Sequence, residues 1–106
     1  MDITPLTYEI LLALADRSRH GYGTIKEIER RGGSGPSTGA LYLALHRMET
    51  QGLVEETPAP PDNDDGRRRY YRITEFGREA AERESVRLAR LVAAARAKKL
   101  LSEETA

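Results

Sequence analysis

A chain of 106 residues, 39% of them hydrophobic and 32% charged, is sized for one domain with a thin core that a second chain would usefully cover. It has no cysteine, no apolar run long enough to cross a bilayer and no charged-then-apolar leader, which excludes disulfides and thiolate metal sites, speaks against a membrane partner and makes the cytoplasm the default location. Formal net charge is zero but segregated: residues 54–66 carry Glu55, Glu56, Asp62, Asp64 and Asp65 without a base, and residues 67–72 carry Arg67, Arg68, Arg69 and Arg72 without an acid, so a local basic patch survives the neutral total.

Thr4-Pro5 opens a first helix that runs to about Asp16, with a hydroxyl cap followed by proline where a missing N–H costs nothing. Leu6, Ile10, Leu11, Leu14 and Ala15 leave it little polar surface, so it is expected to be buried on more than one side. Ser18 to Gly21 make a short polar break. Tyr22, Ile25 and Ile28 then recur through a second helix ending near Arg31, and Gly32-Gly33-Ser34-Gly35-Pro36 interrupts it.

The third helix follows from the Ser37-Thr38 cap to the stop at Gly52. Leu41, Leu45 and Met48 form its buried stripe at i, i+4 and i+7. Its free face carries Ser37, Thr38, Tyr42, Leu43, His46, Arg47 and Gln51, side chains that suit nucleic acid as well as they suit a solvated surface. Two helices joined by a glycine-containing turn are a helix-turn-helix candidate.

Leu53-Val54-Glu55-Glu56 reads as a strand and Arg69-Tyr70-Tyr71-Arg72-Ile73 as its hairpin partner, with alternation that buries Tyr71 together with Ile73. Between them Thr57 to Arg68 is rich in proline and acid, the composition of a long loop extended into solvent, that is, a wing. Thr74 caps a final helix from Glu75 to about Leu101, about 40 Å at the usual rise and longer than the preceding body can cover. Leu88, Leu91, Val92 and Ala95 make a stripe along it that wants a second helix, and the same helix of another copy is the cheapest supplier. The fold class expected is mainly α with a small β-hairpin: a winged helix-turn-helix domain over 1–74, a dimerisation helix over 75–101 and a polar tail over 102–106.

His20-Gly21-Tyr22, Gly39-Ala40-Leu41-Tyr42, Leu45-His46-Arg47-Met48-Glu49, Gly52-Leu53-Val54, Arg69-Tyr70-Tyr71-Arg72-Ile73-Thr74 and Gly77 stand in one collinear series. In that order they resemble the PadR family of bacterial transcriptional regulators, over roughly residues 6 to 80. With a single helix beyond the wing, the chain looks like the short subfamily, whose dimers form through that helix and the first one; Leu6 and Ile10 would join Leu88, Leu91, Val92 and Ala95 at the seam. The resemblance implies a homodimeric repressor on a near-palindromic operator in double-stranded DNA, with third helices about 34 Å apart in successive major grooves. It matches Tyr42 to the family's tyrosine beside the backbone; on that reading Ser37 and Thr38 at the helix N-terminus are placed for phosphate contacts, Thr38, Leu43 and His46 are the candidates for facing base edges, and the wing arginines Arg67, Arg68 and Arg69 should reach phosphate or the minor groove. Leu43 stands where many relatives carry proline, so their operators do not transfer. Asp62, Asp64 and Asp65 must turn away from DNA, or pair with the arginines and weaken the wing.

Two other function classes compete. Gly35-Pro36-Ser37-Thr38-Gly39 fits the G-x-S-x-G string of a nucleophilic serine, but a charged, glycine-rich stretch precedes it where that chemistry needs a hydrophobic strand, so no enzyme is expected. A winged helix used as a protein-interaction module without DNA binding fits the neutral charge and the acidic wing. Relatives in the family bind small aromatic effectors. Tyr8, Tyr22 and Phe76 are the aromatics that could line such a space, although a core role is the simpler expectation. The chain has no tryptophan, so the indole-lined pocket of some relatives does not carry over.

Overall fold

Thr4 accepts a hydrogen bond from the Thr7 amide through its hydroxyl at 3.1 Å, and Pro5 follows it as the first residue of helix α1 (Pro5–Leu14). In the computed structural model, which describes residues 2–32, 34–61 and 68–102, the chain continues through strand β1 (Arg19–His20), helix α2 (Gly21–Glu29) and helix α3 (Thr38–Thr50). Strands β2 (Val54–Thr57) and β3 (Tyr70–Ile73) and the long helix α4 (Glu75–Ala97) complete it. The order is that of a winged helix-turn-helix followed by one long helix. Among the described residues no helix is long and apolar enough to cross a membrane.

The core is the meeting of three helical stripes with one face of the sheet. Ile10, Leu11, Ala13 and Leu14 of α1 enclose Ile28 of α2 and Leu41, Ala44, Leu45 and Met48 of α3, with Leu53, Val54, Tyr71 and Ala80 closing the cluster. The stripe expected on α3 is therefore the buried one. Ile10 is fully enclosed by its own chain, so its assignment to a dimer seam is corrected: it belongs to the core. Leu6 is only partly buried and packs against the edge of the core.

The hairpin gains a strand that the sequence reading missed. Arg19 and His20, read there as part of a polar break, pair antiparallel with Tyr71 and Tyr70, giving a three-stranded sheet of order β1-β3-β2. β3 is the central strand, paired at both edges, and the His20 ring lies against Tyr70, so Tyr70 is buried along with Tyr71, while Ile73 is only partly covered. This departs from the alternation expected of a two-stranded hairpin. Burial pushes the Tyr71 hydroxyl above its ordinary ionisation range, opposed by the Arg69 guanidinium beside it. On the outer side, Arg72 pairs with Glu55 across the strands at 2.6 Å.

Two joints fix the helices relative to one another. At the end of α3, Gly52 takes a φ of +79°, and the Leu53 amide reaches back to the Met48 carbonyl at 2.9 Å while the Gly52 amide reaches Glu49 at 3.0 Å. That double closure satisfies the orphan carbonyls of the last turn and drops Leu53 into the core. The hydroxyl of Thr74, which caps α4 by accepting from the Gly77 amide at 2.9 Å, donates to the carbonyl oxygens of this same turn, 2.6 Å from Gly52 and 3.1 Å from Leu53. Arginines tie the other end: Arg19 donates to the Ala13 carbonyl at 2.7 Å and Arg78 to that of Ala15 at 2.6 Å, so β1 and α4 share the task of capping α1.

Helix α4 ends at Ala97, about a turn before the expected Leu101, because Lys99 takes a φ of 63° and the Leu100 amide closes on the Ala95 carbonyl at 2.8 Å. Even so, α4 is about 34 Å long. It stretches the molecule to 50 × 26 × 25 Å and its radius of gyration to 15.3 Å, against about 13 Å for a compact chain of this length.

Candidate nucleic-acid interface

The free face of α3 is free in the structure too. Ser37, Thr38, Tyr42, Leu43, His46 and Arg47 are all exposed, Leu43 by 61%. Ser37 caps the helix, its hydroxyl accepting from the Ala40 amide at 3.1 Å, so it is both a structural cap and a surface group. Thr38, Tyr42 and His46 follow at successive i+4 positions and so stand in one row, with Leu43 and Arg47 in the row beside it.

Tyr42 marks where this face meets the rest of the surface. Its phenol lies across the first turn of α2 so closely that a Cβ on Gly21 would overlap the Tyr42 hydroxyl and lie 2.6 Å from Cζ. A side chain at 21 would therefore have to displace the Tyr42 ring, a constraint of close approach rather than of backbone conformation. Around this contact lies an open cleft of about 470 Å³ lined by His20, Gly21, Tyr22, Tyr42, Arg68 and Arg69. The residues come from four places: the end of β1, the start of α2, the face of α3 and the base of the wing.

His20 organises the cleft. Its Nδ1 accepts from the Gly23 amide at 2.9 Å and so caps α2. Its ring lies edge-on to Tyr70 with centroids 5.2 Å apart and is nearly parallel to Tyr22 at 6.4 Å, and Arg68 Nη1 stands 2.8 Å from its Nε2. Beyond it, the Lys26 ammonium lies 5.1 Å from the centre of the Tyr22 ring. Hydrogen bonding to Tyr22, then the nearby Glu29 carboxylate, raises the Lys26 pKa, and the ammonium is paired with Glu29 at 3.4 Å. Arg69 reaches the cleft too, 3.5 Å from Glu56 and with a side chain 73% exposed, a pairing that solvent makes weak.

The structure therefore brings Tyr42, Arg68 and Arg69 together, with Ser37, Thr38, Leu43 and His46 on the adjoining helix surface. Arg67 and the wing acids Asp62, Asp64 and Asp65 lie outside the described residues. His20 and Tyr22 line the cleft and are members of it that sequence reasoning missed. Tyr22, expected in the core, is 59% exposed, and Phe76, likewise expected there, is 45% exposed. Tyr8 lies elsewhere, its hydroxyl 2.7 Å from that of Ser85 on α4. Hence these three aromatics do not share one pocket. Among the described residues no three side chains of the metal-ligating types gather.

The sequence and the fold recur in known proteins. The sequence profile of the "Transcriptional regulator PadR-like family" matches residues 10–83. A PadR family transcription regulator from Clostridium difficile R20291 superposes with a TM-score of 0.70 at 26% identity, over 84% of this chain and 94% of that one. A PadR-like transcriptional regulator from Bacillus cereus gives a TM-score of 0.70 at 27% identity over 91% of each chain. The complex structure of hsRosR-S1 gives 0.69 at 29% identity, over 93% of this chain and 86% of the other. An uncharacterised 37.1 kDa protein of transposon TN4556 from Streptomyces fradiae is 42% identical over 82 residues; that stretch is 77% of this chain but only 22% of the relative. With a family profile spanning most of its length and the same fold in regulators of that family, this chain belongs to the PadR-like family of transcriptional regulators.

Proposed function

We propose that the chain binds double-stranded DNA sequence-specifically as a homodimer and represses transcription from a near-palindromic operator. The observation that carries this reading is the continuity of one surface: the Thr38-Tyr42-His46 row of α3 runs into a cleft edged by Arg68 and Arg69. On this reading α3 enters the major groove, with Thr38, Leu43 and His46 toward base edges. Ser37 and Tyr42 hold the flanking phosphates, and the base of the wing follows the backbone. Residues 1–74 form the reading unit. Residues 75–101 join two copies through Leu88, Leu91, Val92 and Ala95, with Leu6 at the margin; Leu91 is 54% and Val92 39% exposed in the single chain. A small aromatic effector would find its place in the largely apolar hollow of about 370 Å³ between α1 and α4, where Tyr8, Leu12, Ile73, Ala81 and Val86 meet.

The experiment that tests the reading is selection of bound sequences from a random duplex pool at two salt concentrations. A two-fold symmetric site is expected, with log affinity falling against log salt at about 0.9 per phosphate neutralised. Recovery of no duplex at low salt would turn the reading toward a protein-binding winged helix.

Gly21→Ala separates function from folding. The atoms that the new methyl meets are the far end of the exposed Tyr42 side chain, which can swing aside, so the unfolding midpoint should barely change. Tyr42 then loses its place, and duplex affinity should fall about tenfold to a hundredfold in an anisotropy titration, as for one hydrogen bond to a charged group. Tyr42→Ala should give a similar loss. Unchanged affinity in both variants would remove Tyr42 from the interface.

A further inference from the structure

We infer that Leu43, together with the bare backbone of Gly39 one turn before it, forms a seat for the C5-methyl group of thymine, so that α3 reads a thymine at one fixed position of each half-site. The inference deepens the DNA-binding reading and rests on it.

An aliphatic side chain makes no hydrogen bond to a base edge. In the major groove the base pairs present donors and acceptors, and the apolar feature among them is the thymine methyl. Leu43 lies in the second turn of α3, in the part of a recognition helix that meets the bases, and it is exposed while Leu41 and Leu45 on either side of it are fully buried. Its neighbours one turn on are His46 and Arg47, and one turn back Gly39 and Ala40, all exposed. A lone leucine among small and polar groups falls short of a protein-docking patch, which takes on the order of hundreds of Å² of contiguous apolar surface. It suits a single methyl contact.

Gly39 gives that methyl room. Helical side chains lean toward the N-terminus, so Leu43 leans over the turn that holds Gly39 and Ala40. A Cβ built on Gly39 meets nothing within 4 Å, and the residue does not take the left-handed φ that Gly32 and Gly52 take. Alanine would be the better helix former, so neither packing nor backbone conformation within this chain calls for glycine at 39. What glycine leaves there is open backbone beside the Leu43 side chain, where a base pair can approach closely. A thymine methyl set in this place touches Leu43 and the Gly39 Cα together. Cytosine, lacking the methyl, leaves it empty.

The test uses the intact chain and the operator recovered by selection, with deoxyuridine replacing thymine at one mirrored pair of positions at a time. Uracil keeps the base pairing and every hydrogen-bonding group of the groove and removes only the methyl. Affinity is expected to fall about fifteenfold at one mirrored pair, from about fourfold for each methyl buried. Leu43→Ala should bind the thymine operator more weakly and lose the preference for thymine over uracil at that pair. Its unfolding midpoint should hold, because the side chain is exposed. Gly39→Ala fills the seat with its own methyl in open space, so it too should keep its midpoint and lose the same preference. An operator without thymine in its half-sites, or one that tolerates uracil at every position, would overturn the inference and leave the DNA reading standing. So would a thymine preference that survives undiminished in either variant. If the wild-type protein binds no duplex even at low salt, the DNA reading fails and the inference falls with it.

Discussion

Gly77→Ala is expected to lower the unfolding free energy by about 3 kcal/mol, although alanine is the better helix former by about 1 kcal/mol. The sign is decided by what the methyl would meet. A Cβ at 77 would overlap the Leu53 carbonyl oxygen and lie 3.0 Å from the Leu53 carbonyl carbon and 3.1 Å from Ile73 Cγ1. Backbone cannot step aside as a side-chain tip can. The Leu53 oxygen also accepts from both the amide and the hydroxyl of Thr74, each at 3.1 Å, and that hydroxyl in turn receives the Gly77 amide. Relieving the overlap therefore means lifting α4 off the α3–β2 turn and breaking its cap. For a domain with about 5–15 kcal/mol in total, this is a large share. Urea unfolding should show a lower midpoint with an unchanged slope. A variant as stable as the parent would mean that α4 does not seat on Leu53 in solution.

The same joint shows how far the sequence could be read. The Thr74 cap, the Gly52 stop and the Leu41, Leu45, Met48 stripe are local signals, because each is a residue type at the one position where its chemistry is needed. Gly77 stood among the motifs that pointed to the family, but its reason, a backbone oxygen twenty-four residues away in sequence, is tertiary. β1 was missed because a two-residue strand has no alternation to detect and exists only because β3 lies beside it. Tyr22 was misplaced for a reason the sequence did contain. Spacing at i, i+3, i+6 advances about 300° per step, so Tyr22 falls about 120° away from Ile28 around α2 and cannot share its buried face. Its exposure, and with it the role of His20, follows from that drift. Ile10 was assigned to the seam because the family resemblance implies a dimer formed in part through the surface of α1. The single chain turns out to consume nearly all of that surface itself, leaving Leu12 at 37% exposure as the uncovered leucine of the helix.

α4 is where a partner would supply what the chain lacks. Past Arg87 most of the helix is exposed, and Leu91 and Val92 carry apolar surface that no element of the same chain covers fully. Fully burying a leucine contributes about 1.5–3 kcal/mol, and a symmetric seam counts each residue twice. Leu91→Glu removes that gain and sets two carboxylates against a closing apolar surface, where each must be desolvated without a prepared counter-charge. The helix itself should survive, because glutamate is nearly as good a helix former as leucine and position 91 is 54% exposed in the single chain. The expected outcome is a folded protein with unchanged helical signal that sediments as a monomer at micromolar concentration. Its operator affinity should fall about a hundredfold or more, because the second half-site is no longer held at high effective concentration. A dimer that persists would move the seam away from α4. A monomer that still binds the full operator as tightly as the parent would show that one copy reads DNA alone, and the near-palindromic site would then have to be given up even if the dimer were kept.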